Sequence, residues 1–179
     1  MLADEVEAVA ELARVVWQAA YADIISPAQR DYMLAQRYGA ERMRVELASG
    51  RVWWDVAEQA GTPVAFASCQ LTETPGEMQL DKLYVHPRWQ RQGLGGRLIA
   101  CAEGRALTQG CDTLVLAVNK RNAPAIAAYR KHGFAVRAAV VKAIGGGFVM
   151  DDYIMEKRLL PRDPACPSKT PLPPRGANS

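Results

Sequence analysis

Val85-His86-Pro87-Arg88-Trp89-Gln90-Arg91-Gln92-Gly93-Leu94-Gly95-Gly96-Arg97-Leu98 is the stretch on which the fold turns. An alternating run, Met78 to Val85, leads into it and ends ahead of a proline. A short basic turn follows, then three glycines within four residues, then a helical pattern. That order predicts a strand, a tight loop and a helix whose first N–H groups face outward. The first turn of a helix carries unpaired donors and about half a positive charge, so it attracts phosphate. Gly93, Gly95 and Gly96 leave room for an anion near the backbone, and Arg88, Arg91 and Arg97 add charge of the right sign. The stretch reads as a diphosphate cradle, with a turn whose glycines serve packing as the plainer alternative.

The common nucleotide loops fit poorly. A dinucleotide fingerprint wants a third glycine where Leu98 stands, and the residues around Val115 are apolar where it wants an acid. The triphosphate loop ends in Gly-Lys-Ser/Thr, a triplet this chain lacks.

Other residues narrow the reading. Gln90-x-x-Gly93-x-Gly95, preceded by Leu83-Tyr84-Val85-x-Pro87, resembles the acyl-CoA-binding motif of the GNAT superfamily of N-acyltransferases. Val118-Asn119-x-x-Asn122-x-x-Ala125-Ile126-x-x-Tyr129-x-x-x-Gly133-Phe134 is similar to that family's second signature. Met150-Asp151-Asp152-Tyr153-Ile154-Met155-x-Lys157-x-Leu159 resembles its last strand. The likeness covers roughly residues 5 to 160. Gln29-x-x-Tyr32-Met33 and Asp152-Tyr153-Ile154-Met155 also look similar to bacterial acetyltransferases acting on polyamines.

Bulk properties agree with an ordinary globular domain. Of 179 residues, 49% are hydrophobic and 23% charged, enough for one sizeable core. A net charge of +3 without a lysine-arginine block gives no sign of nucleic-acid binding. No apolar run approaches membrane-span length, and Met1-Leu2-Ala3-Asp4-Glu5 is acidic where a signal peptide is basic. Cys69, Cys101, Cys111 and Cys166 are scattered without metal-ligand spacing, which points to a reduced, cytoplasmic, metal-free protein.

The hydrophobic pattern predicts a helix over 4–21 and a second helical region from Pro27 to about Gly50. Strands follow at 51–58, 64–72 and 77–85, then a helix from Leu94 to about Gln109 and a buried strand at 113–118. Asn122 is expected to cap a short helix with Pro124 in its first turn, and two last strands flank Gly145-Gly146-Gly147, read as a flexible run. The order is that of an α+β, three-layer α/β/α fold, with a GNAT-like mixed, mostly antiparallel sheet and helices on both faces. Residues 1–160 form the predicted acyltransferase domain, and 161–179, with six prolines, a tail without regular structure. The family normally begins with a strand ahead of the first helix, whereas this sequence starts inside that helix.

The resemblance also implies a chemistry: acetyl transfer from acetyl-CoA to a primary amine, by direct attack in a ternary complex. The donor's pantetheine arm would enter a gap between two splayed parallel strands, Leu83 to Val85 on one side and Leu116 to Val118 on the other. The backbone of Leu83, Tyr84 and Val85 would pair with it, and one amide would face the thioester oxygen. Gln90, Arg91, Gln92, Gly93, Leu94, Gly95 and Gly96 would hold the diphosphate, and Asn122 would add a contact. Tyr129 would donate to the departing sulfur; a phenol near pKa 10 is a weaker acid than a thiol near 8.5, so it acts by hydrogen bonding. Many family members carry a glutamate six residues before the position of Val85. Here Gln79 stands there, and Asp81, two residues on and so on the same strand face, is the nearest replacement base. Tyr21, Tyr32, Trp53, Trp54, Asp55 and Asp151 are conceivable acceptor contacts. No cysteine lies in the motifs, which disfavours an acyl-enzyme. A non-catalytic acyl-CoA-binding module is the alternative reading. By family analogy the chain pairs as a homodimer and takes a small-molecule or peptide amine.

Overall fold

The computed structural model describes residues 1–159, so the expected proline-rich tail lies outside the described residues. Three helices come first: α1 (Val6–Ala20), α2 (Pro27–Tyr38) and α3 (Ala40–Ala48). Strands β1 (Val52–Gln59), β2 (Thr62–Leu71) and β3 (Glu77–Val85) follow, then α4 (Leu94–Thr108), β4 (Thr113–Asn119), α5 (Ala123–Lys131), β5 (Ala135–Gly145) and β6 (Phe148–Arg158). Among the described residues no strand precedes α1.

Local chemistry explains the helix starts. Ser26 Oγ accepts from the Gln29 amide at 3.1 Å and Pro27 opens α2. Asn122 Oδ1 accepts from the Ala125 amide at 3.3 Å and caps α5. The single helical region expected from Pro27 to Gly50 is in fact two helices. Gly39 takes an extended backbone (φ −63°, ψ 135°), ending α2 and starting α3.

The sheet runs β1-β2-β3-β4-β6-β5, with β3–β4 its parallel pair and the other neighbours antiparallel. Helices cover both faces. One core joins α1–α3 to the sheet through Val9, Val16, Trp17, Tyr38, Met43 and Phe66. The other joins α4 and α5 to it through Leu98, Ala102, Ile126, Met78, Leu114 and Met155. The expected three-layer arrangement is observed.

The Gly145–Gly147 run forms a tight turn between β5 and β6. Gly145 pairs with Phe148, and Gly146 and Gly147 both have positive φ (60° and 76°), as a two-residue hairpin turn requires. Tyr32 of α2 donates to the Ile144 carbonyl at 3.0 Å and leaves no space for a Cβ on Gly145. Gln29 Nε2 donates to the Val149 carbonyl at 2.6 Å, so α2 and the hairpin brace each other.

Candidate active site

β3 and β4 pair only over Glu77–Thr113, Met78–Leu114 and Gln79–Val115. Beyond that point they separate, and a gap opens between Leu83–Val85 and Leu116–Val118, where the family resemblance implies one.

A β-bulge in β3 shapes one side of the gap. Ser68 pairs with Lys82 and Cys69 with Leu80, which leaves Asp81 as the extra residue. The bulge reverses the alternation. Met78 and Leu80 face the α4 core before it, and Leu83 and Val85 face the same core after it. Asp81 and Lys82 consequently lie on one face, toward α2 and α3. The continuous alternation read from Met78 to Val85 is thus corrected: the extra residue shifts the phase by one.

Lys82 is 2% exposed, and its Nζ reaches Asp81 Oδ2 at 2.8 Å and Glu46 Oε2 at 3.1 Å. It also sits 4.9 Å from the centre of the Trp54 ring. Arg37 closes on the other Asp81 oxygen, and Arg42 pairs with Glu46 at 3.0 Å. Five alternating charges therefore run from the cleft to the α3 surface. Burial by itself raises the Asp81 pKa, but Arg37 and Lys82 outweigh it and hold the carboxyl below its ordinary value. Asp81 is consequently a weaker base than the sequence reading expects.

A small cleft lies over the gap, lined by Trp17, Tyr21, Arg37, Asp81, Tyr84 and Asp152 among others. Of the acceptor contacts considered from sequence, Tyr21 lines it. Tyr32 braces the hairpin, Trp53 packs on the α4 core, Trp54 is buried, Asp55 pairs with Arg105 at 2.8 Å, and Asp151 pairs with Lys120. Trp17, Arg37 and Asp152 were missed as cleft residues. Trp17 reads as helix core, and the other two reach the cleft only through tertiary packing.

Tyr21, Tyr38 and Tyr84 all line the cleft, and burial raises the pKa of each phenol. Burial also pushes Tyr129 up, with Tyr21 adding to it and no hydrogen bond opposing it. Tyr129 packs edge-on to Phe134, ring centres 5.7 Å apart.

On the far side of the gap, Gly93 caps α4 in the left-handed region (φ 83°), and Arg91 also has positive φ (62°). Arg97 makes the first helical bond, to the Gly93 carbonyl at 3.1 Å. The amides of Leu94, Gly95 and Gly96 precede it and have no partner within the helix. Gln90 Nε2 donates to the Val85 carbonyl at 3.1 Å and Gln92 Nε2 to the Arg88 carbonyl at 3.2 Å, so both glutamines brace the loop. Among the described residues Arg88, Arg91 and Arg97 are exposed and form no ion pair.

The three glycines serve different ends. Gly93 is required by its φ. A Cβ on Gly96 would lie 2.8 Å from His132 Cε1, so packing requires that glycine. At Gly95 the nearest atom is Val85 Cγ2 at 3.9 Å, and neither conformation nor packing demands glycine. Open amides, a cationic rim and a glycine free of internal constraint fit a diphosphate.

A family model described as acetyltransferase (GNAT) family matches residues 7–134. The chain belongs to the GNAT acetyltransferase family. A spermidine N(1)-acetyltransferase of Thermoplasma acidophilum is 24% identical over 159 residues, 87% of this chain and 92% of that protein. An IAA acetyltransferase of Azospirillum brasilense is 30% identical over 111 residues, 60% of this chain and 72% of that one. The crystal structure of PaiA N-acetyltransferase from T. acidophilum in complex with coenzyme A superposes with a TM-score of 0.76 at 23% identity, covering 88% of this chain and 95% of that one. A GCN5-related N-acetyltransferase from Rhodopseudomonas palustris gives 0.74 at 22% identity, over 89% and 92% of the two chains. This GNAT protein is an acetyltransferase with acetyl-CoA as its cosubstrate. No helix among its described residues is long and apolar enough to cross a membrane.

Proposed function

We propose that this acetyltransferase moves the acetyl group of acetyl-CoA to a primary amine by direct attack in a ternary complex. One observation carries the reading: the cleft lined by α1, α2, β3, β4 and β6 meets the β3–β4 gap, so an acceptor in the first faces a donor in the second. Acetyl-CoA supplies the acyl group: the amine nitrogen bonds to the thioester carbon, the carbon–sulfur bond breaks, and the thiol leaves.

The chain's own residues bind, orient and exclude water. The amides from Arg91 to Gly96 and the charges of Arg88, Arg91 and Arg97 hold the diphosphate. The backbone of Leu83, Tyr84 and Val85 aligns the pantetheine arm, and Asn122 adds a contact beside its capping bond. Tyr129 stabilises the departing sulfur by donating a hydrogen bond. Its raised pKa supports a donor that keeps its proton.

A thiol-release assay over an amine panel, with mass spectrometry of the products, tests the reading. Amine-dependent release and an N-acetyl product are expected. Coenzyme A binding without release from any amine would support the second reading, a binding module. The occupied Asp81 and the presence of Gln79 favour that reading.

The dimer belongs to the proposal as well. β5 lies at the sheet edge with Val136, Val140 and Val141 exposed, and such an edge pairs readily with a copy of itself. Sedimentation of the wild type and of Val141→Lys tests it, with the variant expected to be monomeric. Among the described residues Cys69, Cys101 and Cys111 form no disulfide, in keeping with a reducing, cytoplasmic setting.

A further inference from the structure

One carboxylate in the cleft has no assigned work. Asp152 sits near the start of β6, opposite Asn119 at the open end of β4, and lines the cleft beside Tyr21 and Arg37. Its Oδ1 is buried and has no hydrogen-bond partner among the described residues. A buried carboxylate oxygen left unpaired is costly, and a ligand that donates to it removes that cost.

We propose that Asp152 anchors the ammonium group of the acceptor and takes its proton before attack, deepening the amine-transfer reading on which it rests. Asp81 is the other carboxylate in the cleft, and Arg37 and Lys82 already neutralise it. An incoming ammonium therefore finds one anion without a contact partner. The groups around Asp152 are known from each side. Asp151 adjoins it on β6 and pairs with Lys120 from the β4–α5 turn, Arg37 approaches from α2, and Tyr21 from the end of α1. Burial, then the Asp151 charge, raise the Asp152 pKa above its ordinary value, while Arg37 and Lys120 oppose the rise. A carboxylate shifted upward is a better proton acceptor near neutrality.

Tyr21, at the end of α1, lines the cleft beside Asp152. The balance is simple. One ammonium proton goes to Asp152 and on to water, the freed lone pair forms the carbon–nitrogen bond, and the second nitrogen proton leaves with the sulfur.

The test uses the full chain with Asp152→Asn and Asp152→Glu, spermidine and phenethylamine as acceptors, and coenzyme A and spermidine as calorimetric probes. Asp152→Asn is expected to lower kcat/KM by about 100-fold or more and remove the acidic limb of its pH profile. Coenzyme A affinity should stay within threefold, and Asp152→Glu should restore part of the rate. An Asp152→Asn enzyme that binds coenzyme A and keeps its rate and acidic limb overturns the proposal. Should the wild type turn over neither amine, the amine-transfer reading fails for these acceptors while the anchor is judged by calorimetry alone. Spermidine heat lost only in Asp152→Asn then sustains the anchor, and heat absent from the wild type or unchanged in the variant overturns it.

Discussion

Asp81 and Lys82 are consecutive residues on a strand, yet their side chains meet on one face, with Oδ2 and Nζ 2.8 Å apart. A regular strand would send them to opposite faces. The bulge at Asp81 allows the pair, and the pair completes a charge chain that joins β3 to α2 and α3.

Asp81→Asn is expected to destabilise the fold by about 3 kcal/mol at neutral pH, because it removes one of two counter-charges from a buried lysine. Urea unfolding of the variant and the wild type measures the difference. An unchanged midpoint would show that Glu46 alone suffices.

The same carboxyl makes stability depend on acid. Burial raises its pKa, but Arg37 and Lys82 bring the net value below its ordinary 3.8, so the unfolded chain binds a proton before the folded one does. Its contribution is present above about pH 4 and is lost as pH falls through the folded value. The gap between wild type and Asp81→Asn should therefore narrow in urea titrations carried from pH 6 down to pH 3.

Tyr129→Phe removes the hydroxyl proposed to donate to the departing sulfur and leaves the ring packed on Phe134. Turnover is expected to fall roughly 10- to 100-fold, while calorimetric affinity for acetyl-CoA changes less than threefold. Equal losses in both would take Tyr129 out of the chemistry.

Gly96→Ala places a methyl group 2.8 Å from His132 Cε1 and forces the imidazole aside. A loss of about 1 kcal/mol is expected in the wild-type background. In His132→Ala the same change should stabilise by about 1 kcal/mol, the helix preference for alanine over glycine. Thermal unfolding of the four proteins closes the cycle.

Replacing Arg91 and Arg97 together by glutamine should weaken acetyl-CoA binding and flatten its dependence on salt, since both guanidinium groups are exposed and form no ion pair among the described residues. Calorimetry at two ionic strengths checks this. A salt dependence equal to the wild type's would assign the phosphate contact to the backbone alone.

Much of this was legible along the chain because it is local. The helix caps at Ser26 and Asn122, the glycine-rich entry to α4, the buried β4 and the order of strands and helices each depend on residues a few positions apart. The glycine-rich entry to α4 was readable because strand, loop and helix are contiguous from Met78 to Leu98, whereas the β3–β4 gap, which joins distant segments, was expected from the family resemblance alone. Even the bulge left a trace, in apolar residues at 78 and 80 and then at 83 and 85, a change of parity that a continuous alternation conceals.

What the chain order could not give is which charges meet. Asp81 looked like a free strand carboxylate because Arg37 lies 44 residues away and Glu46 reaches Lys82 from another helix. Asp152 looked no different from Asp151, and only the packing of β6 against β4 and α2 pairs Asp151 with Lys120 and leaves Asp152 Oδ1 without a partner among the described residues. Local sequence specifies backbone shape through steric preference and capping. Proton affinity depends on burial and on charges brought close by folding, and those are properties of the assembled tertiary structure.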